Sequence, residues 1–228
     1  MEQLYFLRGH DRIRKRPQVV FPEGPHKAVE NLLLVFAKEA SLGYCNTLVV
    51  RQDGLYFYVK ADGRGIYLGQ DTIGSTRWKE IFCEFYARHK FYQEQKNEPL
   101  DIDDSHRALF GEEPFAQEEF YYLDLYGMNC VSTRMTITVN RNGIRSQLKF
   151  ERGFDVGGII NSQTNEPDGN TFEFEIDEEV FPGAVIPEDH ILEALKGYAL
   201  LIPGFRCRYQ NVNGETVSFC YSEGHPKQ

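Results

Sequence analysis

Positive charge is in short supply in this sequence: 25 lysines and arginines face 34 aspartates and glutamates, for a formal net charge of −9. A surface of that sign repels phosphate backbones, so direct nucleic-acid binding is not expected. Long apolar runs are missing too. None approaches the ~18 residues of a membrane span, and no charged-then-apolar leader opens the chain, so the expectation is a cytoplasmic address and no membrane partner. The cysteines (Cys45, Cys83, Cys130, Cys207, Cys220) are odd in number, far apart and without a Cys-x-x-Cys. They read as reduced structural thiols rather than zinc ligands or a disulfide framework. There is no internal repeat and no linker rich in Pro, Gly or Ser. What is present is ordinary for a globular protein: 228 residues, 41% hydrophobic and 26% charged. A chain of this length buries about 70% of its unfolded surface, enough to form a core without staples. The reading is one domain over residues 1–228.

Local patterns supply the elements. Residues 25–42 read as a helix: Pro25 suits the first helical position and Gly43 the stop. Ala28, Leu32, Val35 and Phe36 share one face, widened by Val29 and Leu33. Thr47–Lys60 reads as strand, turn, strand around Asp53-Gly54, with Gly-rich chain from Gly63 to Gly74 after it. Trp78–Gln95 looks helical, with Trp78, Ile81, Phe82, Phe85, Tyr86 and Tyr92 on or near one face. Two more hairpins are expected, Met135–Arg152 turning at Asn142-Gly143 and Phe205–Tyr221 turning at Asn213-Gly214. Thr171–Ile176 reads as a strand. Pro187–Leu201 reads as a helix with Glu188 and Asp189 in its first turn, where carboxylates complement the helix dipole. Together these imply an α/β (α+β) two-layer sandwich, a mixed, mostly antiparallel sheet with helices on one face.

One stretch departs from this regularity. Residues 94–124 hold ten acidic side chains against two basic ones, so they carry eight of the nine net negative charges. They read as a solvated acidic insertion.

Three collinear segments resemble the ATPase domain of the DNA gyrase B subunit and its relatives in the histidine-kinase-like ATPase superfamily. The first is Leu7–Pro17, LRGHDRIRKRP, similar to the family's opening LEGLEAVRKRP. The second runs from His26 to Gly69: a helix ending in Glu39-Ala40-Ser41-Leu42-Gly43-Tyr44-Cys45, a hairpin, then Asp62-Gly63-Arg64-Gly65-Ile66. The third is the tail. Lys149–Gly153 is similar to FERG, Asp168–Phe172 to the TGT strand, and Tyr198–Phe205 with Phe219–Gly224 to AFLNPGLR and FHYEGG. The resemblance implies the Bergerat fold, with nucleotide held between helices and sheet under a mobile lid.

Carried over residue by residue, it also implies that the chemistry is eroded. Hydrolysis of ATP needs a base for the attacking water and a magnesium ion on the phosphates. In the family both come from the first helix, a Glu and, four residues later, an Asn or Asp. Here the base position falls on Asn31, which has no carboxylate, and the metal position on Val35, which has no oxygen. Glu30 is the fallback base, but a helix turns 100° per residue, so it should point elsewhere. The family's adenine-binding Asp is replaced by Ala61. Asp62, shifted by one along a strand, should face the opposite side. Gly63, Arg64, Gly65 and Asn170 complete the nucleotide-site remnant, and Glu39 with Arg64 matches a family ion pair, read here as tying helix to loop.

The glycine-rich phosphate lid falls on Glu119–Asp124, which has no glycine and carries two carboxylates, each repelling a nearby phosphate by about 1 kcal/mol or more. His26 reads as a surface helix residue, and His10, His89, His106, His190 and His225 show no ligand or triad spacing. Only six residues precede Leu7 and the sequence stops at Gln228, so the family's swapped arm and transducer are not expected.

Two functions follow as expectations. The leading one is a degenerate, gyrase-B-like ATPase domain that binds protein rather than hydrolysing ATP. It needs no cofactor, and Glu112, Glu113, Glu118, Glu119 and Asp124 are its candidate contacts to a basic or topoisomerase-like protein. The alternative is an ATP-hydrolysing, type II topoisomerase-like ATPase domain, and only this alternative calls for ATP and Mg²⁺. A third class, a small neutral ligand in the old pocket, would require an open apolar cavity.

Overall fold

The computed structural model describes residues 9–70, 76–84 and 125–222. The acidic stretch 94–124, with its candidate contacts Glu112, Glu113, Glu118, Glu119 and Asp124, lies outside the described residues, as does the lid position.

The expected helix forms as α2, His26–Ser41, with Pro25 at its N-cap and Gly43 beyond its end at φ 80°. All six residues assigned to its apolar face are buried. It follows a short α1, Gly9–Lys15, and precedes the hairpin β1, Thr47–Asp53, and β2, Tyr56–Asp62. That hairpin turns one residue later than expected. Asp53 pairs with Tyr56, and Gly54 takes the left-handed conformation at φ 59°. Helix α3 covers Arg77–Cys83. Its C-cap Glu84 is already extended, so the helix expected over 78–95 ends early, and the residues beyond 84 lie outside the described part.

The rest of the chain follows as α4 (Leu125–Cys130), β3 (Ser132–Arg141), β4 (Ile144–Glu151), β5 (Phe154–Asp155), β6 (Ile160–Gln163), β7 (Gly169–Ile176), α5 (Glu188–Leu201), β8 (Arg206–Gln210) and β9 (Thr216–Phe219). The Asn142-Gly143 turn appears as expected, with both residues at positive φ.

Among the described residues the strands form one mixed sheet in the order β5-β4-β3-β7-β2-β1-β8-β9, with β6 also on β4. Every pairing is antiparallel except β1 with β8. The α5 crossover makes that exception possible, since parallel neighbours need a long connection. The registers align core residues into rows across the sheet. One row reads Tyr209, Val50, Val59, Phe172, Ile137, Leu148. A second reads Cys207, Leu48, Ala61, Asn170, Val139. All of these are buried. The alternating positions Tyr58, Lys60, Thr136 and Glu173 are not, so the described helices cover one face only, as the sequence predicts. No described helix is long and apolar enough to cross a membrane.

A buried charge network fixes α1 to the end of β7. Arg14 donates to the Asp177 carboxylate at 2.7 Å and to the Cys130 carbonyl at 2.9 Å, while Arg152 stands 3.5 Å from Asp177. Burial alone would push the Asp177 carboxyl up. The Arg14 hydrogen bond, the Glu179 N–H and the two guanidinium charges outweigh it and hold the pKa below the ordinary 3.8. A depressed folded pKa stabilises the protein above the unfolded value, and that stability is lost as pH falls through the folded one. Asp177→Asn should therefore cost about 2 kcal/mol at pH 7 in urea denaturation. The difference from wild type should shrink as pH is taken below 4.

Candidate functional site: the helix α2 and Gly63–Tyr67 junction

Three positions of α2 fall on one line at i, i+4, i+8: Asn31, Val35 and Glu39. Asn31 is half-buried, Val35 is 3% exposed, and Glu39 is buried. Glu39 accepts two hydrogen bonds from Arg64, Nε to Oε2 at 3.0 Å and Nη2 to Oε1 at 2.8 Å. The guanidinium also stacks over the Tyr44 ring, 4.0 Å from its centroid. This bidentate, ring-backed pair joins α2 to the loop that leaves β2, as the sequence predicts.

Protein partners hold several polar groups of the loop. Arg141 donates to the Gly65 carbonyl at 2.7 Å, and the Ile66 N–H donates to Asn170 Oδ1 at 2.8 Å. Asn170 is itself buried and lies between Ala61 and Val139 in the sheet. Asp62 accepts from the Asn46 and Thr47 amides at 2.7 and 2.9 Å, closing the start of β1. Along β2 it alternates with Tyr58 and Lys60, and all three line a shallow cleft of about 260 Å³ with Thr138 and Glu173. The one-residue shift has thus sent it away from the core face, where Ala61 is 0% exposed.

The glycines act by close approach of backbone to backbone. Gly63 has φ 111°, and a Cβ there would overlap the Tyr44 carbonyl oxygen. At Gly65, φ 66°, a Cβ would overlap the Asn140 carbonyl. Gly54, also at positive φ, has nothing within 4 Å of such a Cβ. Gly63→Ala should cost about 2 kcal/mol or more in chemical denaturation, clearly above Gly54→Ala, which bears only the backbone strain. Between the loop, α3 and Arg141 there remains a cavity of about 10 Å³, room for at most one water. Arg64, Ile66, Tyr67, Arg77, Ile81 and Arg141 line it.

Glu30 points elsewhere, as helical geometry requires. Its Oε2 accepts from Lys27 at 2.8 Å, and its Oε1 lies 4.0 Å from His190 Nδ1 on α5. His26 stacks on His190 with ring centroids 4.4 Å apart. Burial lowers the His26 pKa, with Glu30 opposing and His190 and Lys27 adding to the shift. His26, expected at the surface of its helix, is half-buried against His190, a pairing that no spacing in the sequence shows. The two histidines are far apart in sequence, and only the docking of α5 on α2 brings them together.

The helix carrying Glu39, packed over a mixed sheet and tied by Arg64 to a Gly-x-Gly turn after the second strand, belongs to a fold that matches a solved gyrase B ATPase domain. The chain is 24% identical, over 231 residues, to the DNA gyrase B protein of Halalkalibacterium halodurans, covering 97% of this chain and 33% of that one. Its structure matches the crystal structure of the 43K ATPase domain of Thermus thermophilus gyrase B in complex with an aminocoumarin at a TM-score of 0.73 and 20% identity. That match covers 96% of this chain and 53% of the other. The chain therefore spans about a third of the length of the Halalkalibacterium protein and about half of the solved chain. No protein-family model matches it.

Proposed function

We propose that this chain is a degenerate gyrase-B-type ATPase domain that does not hydrolyse ATP and works as a protein-binding module. One observation carries the reading. The positions that in the resembled family supply base, metal ligand and adenine acceptor hold an amide (Asn31), a buried isopropyl group (Val35, 3% exposed) and a buried methyl (Ala61, 0% exposed). The two nearby carboxylates are committed elsewhere, Asp62 to the β1 amides and Glu30 to Lys27. Without a carboxylate near the attacking water, proton removal from it has no acceptor. Without a side-chain oxygen at residue 35, the family's metal-ligand position on α2 offers nothing to a phosphate-bridging Mg²⁺. The cavity of about 10 Å³ beside the loop is too small for a neutral organic ligand, and the 260 Å³ cleft that Ala61, Asp62 and Asn170 border is lined mostly by polar and charged groups.

The binding half of the proposal rests on charge. The sequence concentrates its negative charge in residues 94–124, and a basic protein face, including that of a topoisomerase-like protein, complements it. Glu112, Glu113, Glu118, Glu119 and Asp124 are the proposed contacts, in a cytoplasmic setting.

A phosphate-release assay with saturating Mg²⁺·ATP, run beside an authentic gyrase B protein, tests the catalytic half. The expected rate is the buffer background. Turnover that Glu30→Gln or Asp62→Asn abolishes would overturn the reading and favour the topoisomerase-like ATPase alternative.

A further inference from the structure

The His26, Glu30 and His190 cluster lies outside the nucleotide-site remnant and has no part in the function proposed above. Each residue offers one ligand atom, and the three atoms lie within 4.8 Å of one another. We propose that these three side chains form a binding site for a divalent transition-metal ion of the zinc class, bridging the first two turns of α2 and the first turn of α5.

The donor chemistry fits that class. Two imidazole nitrogens and one carboxylate oxygen suit zinc and its neighbours, whereas magnesium and calcium favour all-oxygen shells. The helical spacing fits as well. His26 and Glu30 are i, i+4 on α2 and so project from the same face, the arrangement that zinc sites on helices use. His190, in the first turn of α5, closes the set from across the interface, and its side chain is 46% exposed, free to swing the short distance that coordination requires. Glu30 divides its oxygens between two tasks. Oε2 holds the Lys27 ammonium, and Oε1 faces His190.

Lys27 is also 3.2 Å from Glu23, so its charge is balanced without drawing on the second Glu30 oxygen. That balance matters because both helix N-termini present partial positive charge, and an anionic ligand is needed for a cation to settle there. Three protein ligands leave the fourth tetrahedral position to water. The metal would act as a clamp, holding the crossover helix α5 to α2 at the end opposite the Glu39–Arg64 pair.

The test is calorimetric titration of the whole chain with ZnCl₂ in a non-chelating buffer, on a Cys220→Ser background that removes the exposed thiol. The other cysteines compete poorly: burial pushes the Cys83, Cys130 and Cys207 thiols up to about 12, and Cys45 is also raised. One zinc per chain is expected, with a rise in melting temperature of about 5 °C at saturating metal. His190→Ala, at an exposed position that folding tolerates, should weaken binding at least about tenfold, and Glu30→Gln should do the same. Co²⁺ should give the intense visible bands of a tetrahedral site in the parent and not in His190→Ala. No zinc binding by the parent, or equal affinity in the parent and both variants, would overturn the proposal.

Discussion

Ala61→Asp is expected to destabilise the protein by about 4 kcal/mol, read as a lowered urea midpoint at unchanged slope. The substitution restores the acceptor that the resembled family places at this position, where it faces a ligand. Here the same position is 0% exposed, in a row between Leu48 and Asn170 that runs from Cys207 to Val139. Asn170 already commits Oδ1 to the Ile66 amide, and Ala61 meets the 260 Å³ cleft along β2 without exposing its methyl. A carboxylate placed there would be desolvated without a charge partner, so it would either protonate or force the sheet and helix layers apart. If the layers were open enough to admit a nucleotide, Ala61→Asp would instead be nearly neutral. The substitution therefore reads out how closed the remnant site is, independently of any ligand.

Phe172→Ala should cost about 3–5 kcal/mol in the same assay. Phe172 stands at the centre of the core, in the row between Val59 and Ile137, with its ring edge-on to Phe36 of α2 at 5.8 Å and tilted against Phe82 of α3 at 6.2 Å. It is where sheet, α2 and α3 meet, so truncation leaves a void with three separate walls and little scope for collapse. Ile160→Ala on β6, 59% exposed, is the matched control and should change stability by less than about 0.5 kcal/mol. A small loss at Phe172 would mean that α2 and α3 are not packed on the sheet as described.

The parts of the fold that were legible in the sequence are those set by local chemistry. Helix α2 could be read because its apolar residues recur at helical spacing between a Pro and a Gly. Two of the three hairpins could be read from Asn-Gly pairs, with both residues at positive φ in Asn142-Gly143 and only Gly214 in Asn213-Gly214. The first hairpin slipped by one residue because Gly54, rather than Asp53, carries the left-handed conformation. Strand β6 gave no signal: all four of its residues are exposed, so no alternation marks it. Strand β5, with two residues, is too short to show a pattern.

At the site, the Glu39–Arg64 pair and the outward turn of Asp62 followed from motif position and strand geometry. The use of Asp62 as a cap on β1, and the role of Asn170 in holding Ile66, depend on strand registers that no local pattern encodes. The meeting of His26 and His190 depends on topology alone, since α5 reaches α2 only through the parallel pairing of β1 with β8.

The central proposal is that the ATP chemistry of the resembled family is lost from helix α2 and strand β2 of this chain. Calorimetric titration with a non-hydrolysable ATP analogue, with and without Mg²⁺, tests it most directly. The account predicts no heat of binding in either condition at physiological nucleotide concentration. Micromolar binding that depends on Mg²⁺ would contradict it, and would mean that Glu30 and Asp62 leave their present partners to do the work that Asn31, Val35 and Ala61 cannot.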